Sequence, residues 1–466
     1  MYRSNYFDLA VGIVSQVMLV GSGLIMLPFV VTHLSAPEVA VWYIYLTIQA
    51  MVFLLDFGMT ETFIRFFSYV FSGVGELSDT RMPERSGDGQ LDPSLLAAMI
   101  GASRRVYFYM TLIAAVLMST VGSFYIHAMT GDGKLAEPVW PSWCIFVVTM
   151  LAQTYFQWQG LPLIGSGRTR RNYEIAVRSR TVQVIATVVA LLIHPSLTVM
   201  SCAFALSAIA MRVDYHLALR PIRAQIAGVT GPFEQHGNLD GVLWRSARRQ
   251  GSSVIGVLLT NRLVGLSVAW FAGLTMSAQY AIANQALVAL TSVAFVVPTM
   301  LGPRVANAGV SGDRDAQRGL FSVSLLFGWA VYAAGGVVLI VVVPYLLKLI
   351  GSNTSLPPVP ILLLMLLIYV LEMNMFTSTR MITLAENAIP YWRAMLVTGA
   401  VIVVSVLLAG NVGLGLAGIL IAQLLPQAAY NYWRWPAYCF ALLGLKVREV
   451  PSRAFTTARQ AFGRAT

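Results

Sequence analysis

Apolar runs of about 20 residues recur along this chain between short polar gaps, and a run of that length spans the hydrocarbon core of a bilayer when helical. Windows of that size place helices at roughly 8–31, 39–60, 106–129, 141–163, 177–194 and 196–216. A second set follows at roughly 250–275, 279–302, 319–343, 357–379, 391–409 and 413–434. Tight turns alone, at His194-Pro195 and Gly410-Asn411, separate the fifth span from the sixth and the eleventh from the twelfth. Every second gap is basic. Arg81 to Arg105, Arg168 to Arg180, Arg220 to Arg249, Arg304 to Arg318, Arg380 to Arg393 and the tail from Lys446 carry nearly all the arginines, and the intervening gaps hold only Lys134 and Lys348. This positive-inside asymmetry predicts an even number of crossings with both termini in the cytoplasm.

The two sets of six fall on either side of a basic stretch containing Gly228, Gly231, Pro232 and Gly237. The expected organisation is an N-terminal lobe over 1–220, a cytoplasmic linker over 221–249, and a C-terminal lobe with a basic cytoplasmic tail over 250–466. Six crossings per half make both halves begin on the same side, as parallel repeats about an axis along the membrane normal. The fold class expected is therefore all-α integral membrane, with twelve transmembrane helices in two six-helix lobes. The longest cytoplasmic segment, Ser72 to Ser103, reads as a solvated loop rich in Gly, Pro, Ser and charge, and no extramembrane domain of useful size is visible. The first apolar stretch, Leu9 to Val31, is longer than a signal h-region and lacks a small-residue cleavage site, so no cleaved signal is expected.

Composition agrees with the pattern: 57% of residues are hydrophobic and 11% charged, with a mean hydropathy of +0.71, about half the charge of a soluble domain. A net charge of +11 would suggest nucleic acid in a soluble protein; here the basic residues flank apolar runs and suit an anionic inner leaflet, so membrane lipids, not nucleic acid, are the expected partner. Cys144, Cys202 and Cys439 lie in apolar runs without ligand spacing, which predicts small buried apolar residues and no disulfide. The loop acids Glu76, Asp79, Glu84, Asp88 and Asp92 have no neighbouring His and no Asp-x-Asp spacing for metal-assisted chemistry. Gly165-Ser-Gly-Arg-Thr-Arg-Arg lacks the Lys-Ser/Thr end of a P-loop. No catalytic residue, metal or cofactor is expected, and an enzyme is not.

Polar residues inside the spans carry more information, because a charge at bilayer depth costs about 2.5–3.5 kcal/mol. Arg262, beside Asn261, lies midway along the seventh span, out of snorkelling reach, and should face a wet cavity or an acidic partner. Asp56, Glu61 and Arg65 follow one another on the second span, Glu61 and Arg65 four apart on one face. Asp56, Glu61 and Glu372 of the tenth span are candidates for coupling transport to an ion, and Glu372 is equally a candidate partner for Arg262. Gln153 and Gln157 share a face of the fourth span beside Tyr155 and Trp158, and Gln16, Asn284 and Gln285 add uncharged polar groups. Amide and aromatic side chains suit sugar hydroxyls and faces, and serve equally as interhelical hydrogen bonds.

Several stretches resemble the polysaccharide transporters of the multidrug/oligosaccharidyl-lipid/polysaccharide exporter superfamily, the Wzx-type O-antigen flippases in particular. Leu27-Pro-Phe-Val-Val-Thr-His-Leu-Ser-Ala-Pro-Glu-Val-Ala-Val-Trp, continuing through Phe53-Leu-Leu-Asp-Phe-Gly-Met to Arg65, is similar to that family's Pro-ended first helix, aromatic-started second helix and Leu-Asp-x-Gly element. Leu163-Ile-Gly-Ser-Gly-Arg with Asn172, Tyr280-Ala-Ile-Ala-Asn-Gln, Val297-Pro-Thr-Met-Leu-Gly-Pro-Arg and Leu414-Gly-Leu-Ala-Gly resemble later turns and helix ends.

The resemblance implies a V-shaped bundle of two lobes around a cationic cavity, in a bacterial inner membrane. It implies flipping of undecaprenyl-pyrophosphate-linked oligosaccharide from the cytoplasmic to the outer leaflet by alternating access, with a polysaccharide polymerase or other assembly protein as a possible partner. Arg262 and Arg65 are the expected diphosphate contacts, Gln153 and Gln157 the candidate glycan contacts, and Asn261 a further substrate-binding candidate beside Arg262. The alternative is an ion-coupled drug or metabolite antiporter of the same superfamily.

Overall fold

Helix is the only regular structure among the described residues of the computed structural model, which are 21–73, 91–131, 138–228, 239–310, 312–386 and 390–463. Eight helices among them are long and apolar enough to cross a membrane. The elements are α1 (Gly21–His33), α2 (Ala36–Val52), α3 (Met59–Phe71), α4 (Pro93–Thr130), α5 (Val139–Gly165), α6 (Thr169–Ile193) and α7 (Leu197–Gln225). They continue as α8 (Leu239–Ala294, broken at Gly273), α9 (Val296–Val310), α10 (Arg314–Leu349), α11 (Val359–Glu386), α12 (Trp392–Asn411), α13 (Gly415–Ala429), α14 (Asn431–Leu443) and α15 (Val450–Gly463).

The chain divides into two units, Met1–Leu258 and Leu259–Thr466. In the first, α3, α4 and α5 close around Phe63, Phe66, Phe67, Leu96, Met99, Tyr107 and Trp158. Gly165 makes this possible: a Cβ there would collide with Phe67, so only glycine lets α5 approach α3 so closely. A second cluster stacks Tyr45, Trp143, Phe146 and Phe204, with Tyr45 Oη and Ser142 Oγ hydrogen-bonded at 2.9 Å. In the second unit, Val264, Val268, Leu287, Leu362, Ile402 and Ile419 form the core.

Burial is inverted relative to a water-soluble fold. On α6 the exposed strip is Ile185, Val189 and Leu192, while Ser179, Gln183 and Thr187 are buried against α7. In lipid the outer face costs nothing to leave apolar, and small or hydroxylated residues are what let helices approach and bond. Ser179 shows the use, donating to the Ser207 carbonyl of α7 at 3.1 Å. By the same logic Cys144 and Cys202 are exposed among apolar neighbours and only Cys439 is buried, correcting the expectation for the first two.

Several predicted boundaries move. Much of the expected loop between the second and third spans is helix, because Asp92 caps α4 by accepting from Ser94 N at 2.8 Å, with Pro93 in the first turn. The residues Leu95 to Ser103, assigned to solvent, include Leu95, Leu96, Met99, Ala102 and Ser103, all at most 1% exposed. The second span is not continuous but broken between α2 and α3. The last predicted span breaks at Tyr430. Both α4 and α10 carry a single π-helical turn, at Met118–Gly122 and Val338–Val342.

The tail helix α15 packs on the start of α10. Thr457 lies against Gly319, and Asp315 pairs with Arg318 at 2.9 Å and Arg453 at 3.3 Å.

Candidate functional site

The break in the second span is where polar chemistry collects in the first unit. The chain leaves α2 through a 3-10 turn, Phe53–Asp56, then takes left-handed backbone at Phe57 (φ 44°) and Gly58 (φ 74°) before α3 begins. That geometry costs a residue with a side chain about 1–2 kcal/mol, and Phe57 bears it. The compensation is Asp56. Its Oδ2 accepts from Thr60 N at 3.1 Å, and its Oδ1 accepts from Thr60 Oγ1 and Tyr107 Oη, both at 2.9 Å. The carboxylate thus caps the first turn of α3 where backbone donors are otherwise unmet.

The fourth span is interrupted too, by the 3-10 turn Phe156–Gln159 within α5. Gln157 Nε2 donates to Thr60 Oγ1 at 3.1 Å, so the two interruptions are tied together. The carbonyls released at this turn are met by Arg212 of α7, which donates to Phe156 O at 2.8 Å and Gln153 O at 3.5 Å. Arg104 of α4 lies 4.4 Å over the Trp158 ring. Of the residues singled out from sequence, the structure therefore brings Asp56 and Gln157 into one network. It uses Gln153 through its carbonyl and leaves the Gln153 side-chain amide without a hydrogen bond to a described residue. Arg65 is exposed, its guanidinium 5.3 Å over the Phe66 ring. The Glu61 side chain lies outside the described residues, as does Gln16.

Farther along this unit, Arg180 of α6 donates from Nη1 to Gln183 Oε1 at 2.8 Å. Neither Arg180 nor Arg212 pairs with a carboxylate among the described residues; Asp214, the acid on α7, is taken by Arg178 at 3.4 Å. Arg178 and Arg180 correct the reading of the arginines as gap residues, since both fall inside α6; Arg212, counted in no gap, falls inside α7.

In the second unit the backbone carries Asn261 and Arg262 in the helical run of α8 that ends at Gly273, while their side chains lie outside the described residues. Glu372 of α11 is 6% exposed and makes no hydrogen bond or ion pair with a described residue. The hydroxyls of Tyr332 and Tyr432 lie within electrostatic reach of it, and Tyr432 Oη is itself buried without a hydrogen bond to a described residue. One turn away on the same helix, Tyr369 donates to Asn284 Oδ1 at 2.6 Å. Tyr369, Asn284, Tyr280, Met365, Ile368, Leu420 and Gln423 line a small, partly open cavity of about 10 Å³, the room a single water needs. Asn374 is structural, accepting from Trp329 Nε1 at 2.7 Å and donating to Val370 O.

Sequence reasoning missed Thr60, Tyr107, Arg180, Gln183, Arg212 and Gln423. For Arg180 and Arg212 a signal existed, since both fall inside the apolar windows of their spans. The hydroxyl partners of Asp56 gave none, because Tyr107 is 51 residues away.

No protein-family model matches the sequence, nor does any curated protein sequence. Among solved structures, the chain is similar to an inward-facing multidrug resistance MATE family transporter of the MOP superfamily. The TM-score is 0.65 at 12% identity, over 92% of this chain and 95% of that one. It is similar to the lipid II flippase MurJ in an inward closed conformation, with TM-score 0.62 and 10% identity over 98% and 92% of the two chains. A MOP superfamily transporter from Pyrococcus furiosus, described as having a binding pocket of reversed polarity, gives 0.53 at 11% identity over 94% and 96%. The fold of this multi-pass membrane protein is the one these MOP superfamily transporters share.

Proposed function

We propose that the protein is a flippase for a lipid-linked oligosaccharide, moving an undecaprenyl-pyrophosphate-linked unit from the cytoplasmic to the outer leaflet of a bacterial inner membrane by alternating access. The observation that carries this reading is the depth of Arg262. It precedes the break at Gly273 by eleven residues of helix, roughly 16 Å at 1.5 Å per residue, which is about half the hydrocarbon thickness. A cation held there needs an anion. A diphosphate headgroup supplies one, and the planar guanidinium fork can grip it at two oxygens. Asn261 beside it is assigned to the same headgroup, Arg65 of the first unit to a phosphate contact of its own, and the Gln153 amide, which bonds no described residue, to the sugars.

The test is the sidedness of lipid-linked oligosaccharide in membranes of cells depleted of the protein. Accumulation on the cytoplasmic leaflet, restored by the wild type and not by Arg262→Ala, is the expected result. Unchanged sidedness in cells without a second flippase overturns the reading.

A second reading, ion-coupled antiport of a small organic compound, is favoured by one observation, the buried carboxylate of Glu372, unpaired among the described residues and one helical turn from the residues lining a water-sized cavity. The two readings share that acid as the coupling group and differ in the cargo. Drug efflux that depends on Glu372, with normal oligosaccharide sidedness, would favour the second.

A further inference from the structure

The guanidinium of Arg180 points the wrong way for a lipid-exposed arginine. α6 runs from the Arg170-Arg171 end to His194, and a long basic side chain inside a span normally snorkels back to the nearer surface. Helical side chains also lean toward the helix N-terminus, which here is that same basic end. Arg180 does neither. It reaches one turn forward to Gln183, the fifteenth of the 25 residues of α6. That sets the contact roughly 21 Å from one helix end and 15 Å from the other, and some six residues, about 9 Å, inside the basic edge of the apolar window 177–194.

The facing is equally specific. At about 3.6 residues per turn, Arg180 stands opposite the exposed strip of Arg178, Ile185, Val189 and Leu192, on the side of buried Thr187. It is turned away from lipid and half-buried. Gln183, 4% exposed, fixes it by offering its carbonyl oxygen. What the pair has left is mostly donors: Nε, Nη2 and the second Nη1 hydrogen of Arg180 and the amide NH2 of Gln183, against one remaining lone pair on Gln183 Oε1. None of these donors meets an acceptor among the described residues, and Asp214, the acid on the neighbouring helix, is held by Arg178. Converging donors with a fixed charge and no carboxylate are the complement of an oxyanion.

We propose that Arg180 and Gln183 form a subsite for a phosphate or diphosphate group carried on a lipid, within the first unit. The proposal rests on the reading of the protein as a transporter of a diphosphate-linked lipid. It adds the residues of the fifth span that hold the anion. Gln183 acts by positioning: it accepts one N–H of the fork, turning the other donors outward, and adds its own amide.

The experiment uses the purified full chain in zwitterionic nanodiscs. Binding of undecaprenyl diphosphate, undecaprenol and inorganic diphosphate is read by native mass spectrometry, and a melting curve is taken for every variant. The wild type should prefer the diphosphate lipid over the alcohol by about tenfold or more, the scale of one charge-assisted contact. Arg180→Gln should abolish that preference, Arg180→Lys should keep part of it, and Gln183→Met should weaken it severalfold. Gln183→Met leaves the charge in place and decides the matter if Arg180→Gln does not fold. A full preference retained in both Arg180→Gln and Gln183→Met overturns the proposal, and so does a lowered melting point with unchanged preference. A wild type that binds inorganic diphosphate through Arg180 but ignores the lipid leaves the anion subsite standing and removes the lipid substrate. A wild type that binds neither diphosphate removes both.

Discussion

Asp56 in the first unit and Glu372 in the second are carboxylates in opposite circumstances. Asp56 accepts three hydrogen bonds and caps a helix; Glu372 is almost wholly buried and accepts none from a described residue. An acid that is fully bonded holds a shape. An acid that is buried and unbonded stores a cost, and such a cost inside a membrane span is the usual mark of ion handling. The contrast makes Asp56 architectural and leaves Glu372 as the acid we propose for coupling, although the two are equal candidates by sequence.

The assignment breaks most visibly through Glu372→Gln. In proteoliposomes this variant is expected to lose transport driven by an ion gradient while substrate exchange without a gradient continues. Gradient-driven transport at the wild-type rate would strip Glu372 of its role. Asp56→Asn should instead act on stability, lowering it by about 2 kcal/mol as the bonds from Thr60 and Tyr107 lose their charged acceptor. Tyr107→Phe should cost about 1 kcal/mol. Both are read from chemical denaturation in detergent, and a transport defect in Asp56→Asn without destabilisation would erase the contrast.

The units also differ in how they tolerate crowding. A Cβ on Gly165 meets the Cβ of Phe67 and, at 3.1 Å, the backbone of Phe67 and Ser68; one on Gly328 meets the Met373 sulfur at 2.6 Å. Backbone cannot yield but a thioether can, so Gly165→Ala should cost about 1–3 kcal/mol and Gly328→Ala less than about 1 kcal/mol. Equal losses would show that α10 and α11 are packed as rigidly as α3 and α5. The smallest effect is expected at Phe57, whose φ of 44° costs about 1–2 kcal/mol. Phe57→Gly relieves that strain but adds unfolded-state entropy worth about 0.5–1 kcal/mol, for a net stabilisation of about 0.5 kcal/mol.

Helix existence was legible because lipid demands long apolar runs, and the fold class followed from it. What the pattern hid were the interruptions. Phe53 to Gly58 is as apolar as its neighbours, so hydropathy runs straight through a break that φ values reveal. The start of α4 could have been read from Asp92-Pro93, but Arg104 and Arg105 looked like the edge of a span; in the fold Arg104 lies over Trp158 instead. Arg180 was grouped with the arginines of the basic gap because charge was counted by segment, and depth along a helix is not visible in such a count. The Asp56 network needed contacts 47 to 97 residues apart, which one sequence cannot supply.

The π turns of α4 and α10 carry one more consequence. Met118 follows Pro93 by 25 residues and Val338 follows Arg314 by 24, so each unit interrupts its corresponding helix at nearly the same distance from its start. Such a turn is one extra residue squeezed into a helix. Each unit therefore holds, at nearly the same depth in a long apolar helix, a turn whose backbone bonding is already shifted, a ready place for that helix to bend without losing its hydrogen bonds.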